Sequence, residues 1–444
     1  MCMSNRICKI CLKGCSVGEM KDYKISLFGA VIMLVGTVIG AGIYIMIGPL
    51  AVTVGPGLFL CYLIASVIAV TSSMCYAQVA SVFPATAASF QYAKMFYGDF
   101  VGFLVGWLRV VNTFFGLALM GKGFAEYISP YFKTDIRLTA VVVLTIYFII
   151  NLLGIKTTQR VQTLLVIIVV GGLAVFCGAG VFKIKIDNLT PVFAAGPGAL
   201  IKGSMTAFYA YTGLYFIAEI GGEVQEPNKT IPRSICIAGG VIGFLYFITA
   251  LVFSGGLGWQ AIKQYQPNLA EAAGFLFRPS IAAVIQLSAL TAVINPINSL
   301  YITGSRFLCV LSGDKKIPPV FSRLNRFNVP ATALSLVYFI SLIIVLIDLP
   351  VLYLGAIGSI VNLIAMTLVA GICFRIQNEY PCEFKNAPFK MSDSMLKLLP
   401  KFTIICALIL ILISFTADIF IMFSFMFWIA AGSAYYFIKN RTPF

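Results

Sequence analysis

The sequence contains no histidine. That absence excludes catalysis by a histidine base and metal sites built on imidazole. Charge is scarce too, with Asp, Glu, Lys and Arg making up 11% of 444 residues and only 16 of them acidic. Soluble domains carry about a quarter charged residues, so a water-soluble protein of this length is excluded as well. No Asp-x-x-Asp or Ser–Lys arrangement of a membrane-embedded enzyme lies in the apolar runs, and no filter sequence or repeated ring motif of a channel is present. Low-complexity segments and a soluble domain are also missing.

What fills the chain is apolar: 60% of it is hydrophobic. Runs of about 20 residues, enough to cross a bilayer as helices, fall near 25–49, 57–82, 100–128, 137–153, 160–182, 198–220, 234–256, 280–307, 332–348, 352–374, 400–416 and 419–437. The expectation is an all-α, polytopic membrane protein of about 12 transmembrane helices. The net charge of +15 points to sidedness rather than to nucleic acid. With the N-terminus cytoplasmic, 22 lysines and arginines fall in inner segments and 7 in outer ones, which places both termini in the cytoplasm of a cell-membrane protein. No cleaved signal peptide is read in the first residues. No cysteine falls in an outer segment, so no structural disulfide is expected there. Cys2, Cys8, Cys11 and Cys15 sit in the tail, the last three with C-x2-C-x3-C spacing. A soft metal would suit that spacing, but a reduced tail that carries lipid is the favoured reading, and no metal site is assigned.

Two apolar runs are interrupted. GTVIGAGIYIM spans Gly36 to Met46, and FYAYTGLYFIAEIGGE spans Phe208 to Glu223. In hydrocarbon an unpaired backbone amide costs several kcal/mol, so such backbone is tolerated only where it is buried or lines a polar cavity. Glycines also serve simply to let membrane helices pack closely. Broken first and sixth spans favour the cavity, and they suggest two inverted five-helix repeats with two helices appended. The chain then divides into a cytoplasmic tail, 1–24, a first repeat, 25–182, a second repeat, 198–374, and 375–444, comprising a loop, helices eleven and twelve and a short cytoplasmic C-terminus.

Several motifs, in this order, resemble the amino acid-polyamine-organocation (APC) superfamily of permeases. The first-helix pattern G-x-x-x-G-[SA]-G-I-[FY] is Gly36 to Tyr44, the third-helix G-F-L-x-G-W is Gly102 to Trp107, and N-x-x-G-x-K is Asn151 to Lys156. The sixth-helix pattern is matched in part by Phe208 to Tyr215 and by Glu223, Pro227, Ile231, Pro232 and Arg233, and span eight ends in Ser305-Arg306. The resemblance implies a LeuT-like fold with helices 1 and 6 broken and a substrate at the midplane, moved as spans one, two, six and seven rock against the rest.

By that resemblance, amides of Ala41 and Gly42 face a substrate carboxylate, with Gly40 permitting close approach. Carbonyls of Val38, Tyr209 and Thr212, beside Gly213, would accept from an ammonium, and Tyr209 would also close over the substrate as a gate. Asn112, Thr113, Phe114 and Leu117 of span three would set side-chain selectivity. The acid that often ends the sixth-helix motif is Tyr215 here, and Val161 to Val181 has no lysine, which speaks against proton coupling by those groups. A sodium ion held by span-one carbonyls with Asn295 and Ser299, another coupling ion such as a proton, and exchange with no ion all stay open.

A charge inside the membrane costs at least about 2.5–3.5 kcal/mol at a helix centre unless paired or hydrated. Arg109 and Glu219 share a depth, so either they pair and gate the inner path or Arg109 snorkels while Glu219 meets water. Lys122 and Glu126, at i and i+4, are expected to neutralise each other, and Glu223, Lys229 and Arg233 form either a second gate or a solvated loop. The expected function is a secondary transporter of amino acids, preferentially neutral. A cationic amino acid or polyamine exchanger and a non-transporting sensor of the same fold are the alternatives. Its partners are a small-molecule substrate and the bilayer; no cofactor beyond a coupling ion is expected, and the oligomer is undetermined.

Overall fold

In a computed structural model of the chain, residues 24–132, 134–349, 351–417 and 419–441 are described. The four tail cysteines and Lys133 lie outside them. Among the described residues the chain is helical, with only isolated bridges at Ile25–Val224 and Thr86–Ile220.

The first apolar run is three helices, α1 (Leu27–Val38), α2 (Ala41–Tyr44) and α3 (Ile47–Val54), followed by α4 (Leu58–Val82). A short helix α5 (Ala88–Tyr97) turns back before α6 (Asp99–Phe132), α7 (Ile136–Leu152) and α8 (Ile155–Gly180). The second interrupted run is α9 (Pro197–Phe208), a 3-10 turn, and α10 (Phe216–Glu219), leading into α11 (Pro227–Leu257). Two short helices, α12 (Trp259–Tyr265) and α13 (Leu269–Leu276), precede α14 (Pro279–Gly313), α15 (Ala331–Ile347) and α16 (Val351–Cys373). The chain closes with short α17 (Ile376–Glu379) and α18 (Pro381–Asn386), then α19 (Asp393–Ala417) and α20 (Ile419–Arg441).

Eight of the described helices are long and apolar enough to cross a membrane, and α1, α7 and α15 are shorter apolar helices. Outward faces carry exposed Leu164, Ile167, Phe244, Leu412 and Phe420, which water would not favour and lipid does. The protein is an integral membrane protein.

Helix ends follow local chemistry. The Ser26 hydroxyl accepts from Gly29 N at the start of α1, Asp135 from Leu138 N at α7, and Asn268 with Glu271 forms a reciprocal capping box on α13. Two large clusters make up most of the core, beside a small third one at Leu108, Ile360 and Phe425. One cluster gathers Tyr44, Tyr62, Phe176, Phe208 and Tyr246, from the broken helices, α4, α8 and α11. The other gathers Phe103, Phe115, Tyr147, Tyr301 and Phe307, from α6, α7 and α14. The interrupted helices lie where these two bodies meet. We refer to the end where α1 begins as the tail end and to the opposite one as the far end.

At the far end the sequence-based pairing of Lys122 with Glu126 gives way to another. Lys122 Nζ lies 2.6 Å from Asp348 Oδ1 and 2.7 Å from the Leu349 carbonyl, while Arg137 holds Asp348 Oδ2 at 3.1 Å. Asp348 caps α15 in a left-handed conformation, φ 65°, which turns its carboxylate toward α6. A fixed acceptor in the right place outcompetes an i,i+4 neighbour worth only about 0.2–0.5 kcal/mol.

Candidate functional site

The two interruptions cross. A Cβ on Gly42 would lie 2.4 Å from Ala210 Cα, so only glycine lets the α2 backbone approach the 3-10 turn this closely. Gly213 takes φ +102°, a conformation open to glycine, and this turns the chain from the 3-10 segment into α10. The Tyr246 hydroxyl of α11 joins the two breaks, 3.0 Å from the Val38 carbonyl and 3.4 Å from that of Ala210. Across the crossing, Pro296 inside α14 lacks an N–H, so the Ala292 carbonyl has no i+4 donor; it faces Gly40, 3.4 Å from where a Cβ would stand.

A cavity of about 130 Å³ opens at this crossing. Of the expected site residues, Val38, Gly40, Gly42, Asn112, Thr113, Tyr209, Thr212 and Gly213 line it, together with Arg109 and Ser299. Ala41 opens α2 beside them. Phe114 and Leu117 do not line the cavity; both are buried in the α6–α7–α14 core. The reason is helical phase: α6 turns Arg109, Asn112, Thr113, Gly116 and Met120 toward the cavity, a stripe at i, i+3, i+4, i+7 and i+11, and residues 114 and 117 fall outside it. Asn295 is likewise absent from the lining. It is fully buried with no hydrogen-bond partner on its side chain, and its amide nitrogen lies 2.9 Å from a Cβ position at Gly36, as does that of Gln162. Ser299, one turn along, does reach the cavity, where its hydroxyl pairs with Thr37 and accepts from Gln162 Nε2 at 3.3 Å.

Toward the far end the cavity shares Leu119, Met120, Tyr209, Thr212, Gly355 and Asn362 with a wider, mainly apolar space of about 700 Å³ reaching Met46 and Lys202. Tyr209 stands at this junction. Toward the tail end the path is closed by buried polar contacts. Arg109 Nη2 lies 3.3 Å from Glu219 Oε1, and both side chains are buried. Arg109 Nη1 also donates to Asn362 Oδ1 and, at 3.3 Å, to the Tyr215 hydroxyl. Tyr215 in turn donates to Asn362 Oδ1 at 2.9 Å and stacks on Tyr76, ring centroids 4.4 Å apart. Glu219 Oε2 accepts from Ser89 N at 2.9 Å, which ties the start of α5 to α10.

One turn further, Glu223 pairs with Arg306 of α14. Lys229 pairs with Glu226 and Arg233 is exposed, so these two fit the solvated-loop alternative, and of the trio only Glu223 joins a buried pair. Glu223 also gives its carbonyl to Ile25 N at 2.9 Å. Tyr215, Glu219 and Glu223, spaced by four, thus engage Asn362, Arg109 and Arg306 from three different helices.

Sequence reasoning missed Tyr246, Asn362 and Arg306 as parts of this arrangement, and Thr303 of α14 as a residue of the cavity lining. A polar residue in an apolar span is the one signal that could have found Asn362, and the proline at 296 the one that pointed to α14.

Arrangement and sequence together define a membrane permease. The amino acid permease family model matches residues 25–437, and the chain belongs to that family, within the APC superfamily. It is 24% identical to the methylthioribose transporter of Bacillus subtilis over 441 residues, 94% of this chain and 93% of that one. It is 24% identical to a branched-chain amino acid permease of Lactococcus lactis, covering 80% of this chain and 82% of the relative. It is 27% identical to a vacuolar cationic amino acid transporter of Arabidopsis thaliana, covering 81% of this chain and 64% of the relative.

Proposed function

We propose that this chain is a secondary transporter of neutral amino acids that works by alternating access. The observation that carries the reading is the cavity at the crossing of two broken helices, with Arg109 the one charged side chain among its described lining residues. In this reading the amides of Ala41 and Gly42 face a carboxylate and the Thr212 carbonyl faces an ammonium, while the Val38 carbonyl keeps a second lone pair beside the Tyr246 hydroxyl. The Tyr209 carbonyl, expected to join them, already accepts from Thr212 N at 3.1 Å and from Thr212 Oγ1 at 2.8 Å. With the charge of Arg109 offset by Glu219, the cavity lining offers a cationic side chain no free carboxylate, which disfavours the cationic exchanger. Branched-chain substrates, named for one relative, suit the neighbouring Leu119, Met120, Leu300 and Leu354.

In this reading ten of twelve spans form two inverted repeats, the last two are appended, and the tail end faces the cytoplasm of a cell membrane. The far end is open and the tail end is closed by Arg109–Glu219 and Glu223–Arg306. Transport exchanges the two, as α1–α4 and α9–α11 rock against α6, α7, α14 and α15. Buried oxygens of Gln162 and Asn295, without hydrogen-bond partners, together with Ser299 and Thr37 at the α1–α8–α14 junction support a coupling ion such as sodium there. The chain carries out no covalent chemistry.

The test is uptake of radiolabelled neutral and cationic amino acids into proteoliposomes under sodium, proton and preloaded-substrate gradients, imposed one at a time. Uptake of neutral substrates under one of them is expected. Saturable binding with no flux under any gradient would replace transport by a sensor role, and a preference for lysine or polyamines would replace the neutral class.

A further inference from the structure

Between α16 and α19 the chain folds through α17 and α18 and returns, leaving an open recess of about 740 Å³ on the surface at the tail end. Lys385, Lys390 and Lys397 line it against one carboxylate, Asp393, which accepts from Gln377. Among the described residues none of the three lysines has an acidic partner within ion-pair distance. Lys390 Nζ instead donates to the Lys385 carbonyl, which fixes its ammonium at the recess. The recess sits at the start of a helix apolar enough to span a membrane, and that helix exposes Met395, Leu398 and Phe402, one face at i, i+3 and i+7, beside Lys397.

A cationic recess opening at the edge of a lipid-facing apolar strip matches one ligand chemistry: a phosphate group joined to acyl chains. We propose that this recess binds the headgroup of an anionic phospholipid, with its chains along the Met395–Leu398–Phe402 face. The strip is what selects a lipid over a free phosphate, which would find the lysines but gain nothing from the apolar face.

The position also connects the lipid to helix movement. Lys390 lies between Phe389, whose N–H donates to Ser81 Oγ at 3.0 Å, and Met391, whose N–H donates to Gln78 Oε1 at 2.7 Å. Gln78 and Ser81 belong to α4, one of the helices in the rocking body of the proposed cycle. A headgroup held by Lys390 therefore braces the segment that grips α4. Binding itself does not depend on that cycle or on which substrate is carried.

The experiment compares retention of phosphatidylglycerol and phosphatidylcholine by the purified full chain, read by native mass spectrometry and by titration in detergent. Wild type is expected to retain phosphatidylglycerol selectively. K385Q/K390Q/K397Q should bind it on the order of a hundredfold more weakly, and K397Q alone about fivefold, since each lysine near an anionic surface contributes about 1 kcal/mol. Melting temperature in lipid-free detergent checks that the variants fold, and K397Q carries the test if the triple variant does not. Equal retention of phosphatidylglycerol by K397Q and wild type would overturn the site. Glycerol phosphate competing as well as the whole lipid would overturn the lipid assignment in favour of a free phosphate.

Discussion

Arg109 Nη2 of α6 and Glu219 Oε1 of α10 stand 3.3 Å apart directly on the tail side of the cavity, each buried and each from a different body of the fold. An arginine there would repel any cationic substrate and a lone glutamate would attract one; as a pair they leave the cavity near neutral. The glutamate has a second task, because its other oxygen holds Ser89 N. The pair therefore links α10, with its hold on Ser89, to α6, and its rupture would loosen α10 from α6 while α5 stays packed on α6.

A double-mutant cycle tests this coupling. E219Q keeps an acceptor for Ser89 N but removes the charge, and R109M removes the partner. Breaking one side of a buried pair costs about 3–5 kcal/mol because the other charge is left uncompensated, so each single variant should melt well below wild type and lose uptake. R109M/E219Q should lose less than the sum, with a coupling of about 0.5–3 kcal/mol. Additive losses would mean that the two groups act independently despite their proximity.

At the helix crossing, G42A should already impair uptake and G42W should abolish it, while both insert in the membrane. A Cβ at this position would stand 2.4 Å from backbone at Ala210, and backbone cannot move aside as a flexible side chain can. Uptake by G42W at the wild-type rate would remove the crossing from the transport path.

The far-end clasp yields a pH prediction. Hydrogen bonds from Lys122 and then Arg137 hold the Asp348 carboxyl below its ordinary value of 3.8. A lowered native value means that the clasp contributes in full above that ordinary value and is lost only as pH falls through the lowered one. D348N should therefore lower the melting temperature by the same amount at pH 5 and pH 8, and the difference from wild type should shrink only in strong acid. A difference that grew between pH 5 and pH 8 would assign the effect to another group.

The positions of the long helices and of both interruptions were legible because membrane thickness and backbone hydrogen bonding leave few alternatives to an apolar run of about 20 residues. The phase of α6 was legible in principle: Arg109, Asn112, Thr113 and Gly116 are the polar and small residues of a helical stripe, and Phe114 and Leu117 fall off it. What a linear pattern does not carry is the partner of a long side chain. Lys122 found Asp348, 226 residues away, rather than Glu126 at four, and Glu223 found Arg306 rather than Lys229 or Arg233. Each choice depends on where a distant helix ends, as with the left-handed cap at Asp348. The tyrosine that joins the breaks was hidden for the same reason, since nothing near residue 246 distinguishes it from the other aromatics of an apolar helix.

That tyrosine gives the most specific prediction. Its hydroxyl is 3.0 Å from the Val38 carbonyl and 3.4 Å from the Ala210 carbonyl, so it fixes the spacing of the two interrupted backbones between which the substrate is proposed to lie. Y246F leaves the ring, which packs against Tyr62 and Tyr211 with centroids 5.8 Å and 5.0 Å away, and removes only the donor. A buried carbonyl deprived of its partner costs about 1–3 kcal/mol, and if that cost falls on the conformation that receives substrate, apparent affinity should drop by roughly five- to a hundredfold. Helix packing and membrane insertion should be unchanged, because the apolar contacts remain. An unchanged KM with a lowered melting temperature would make the hydroxyl a purely structural tie, whereas a raised KM with wild-type stability would place it in the organisation of the substrate site.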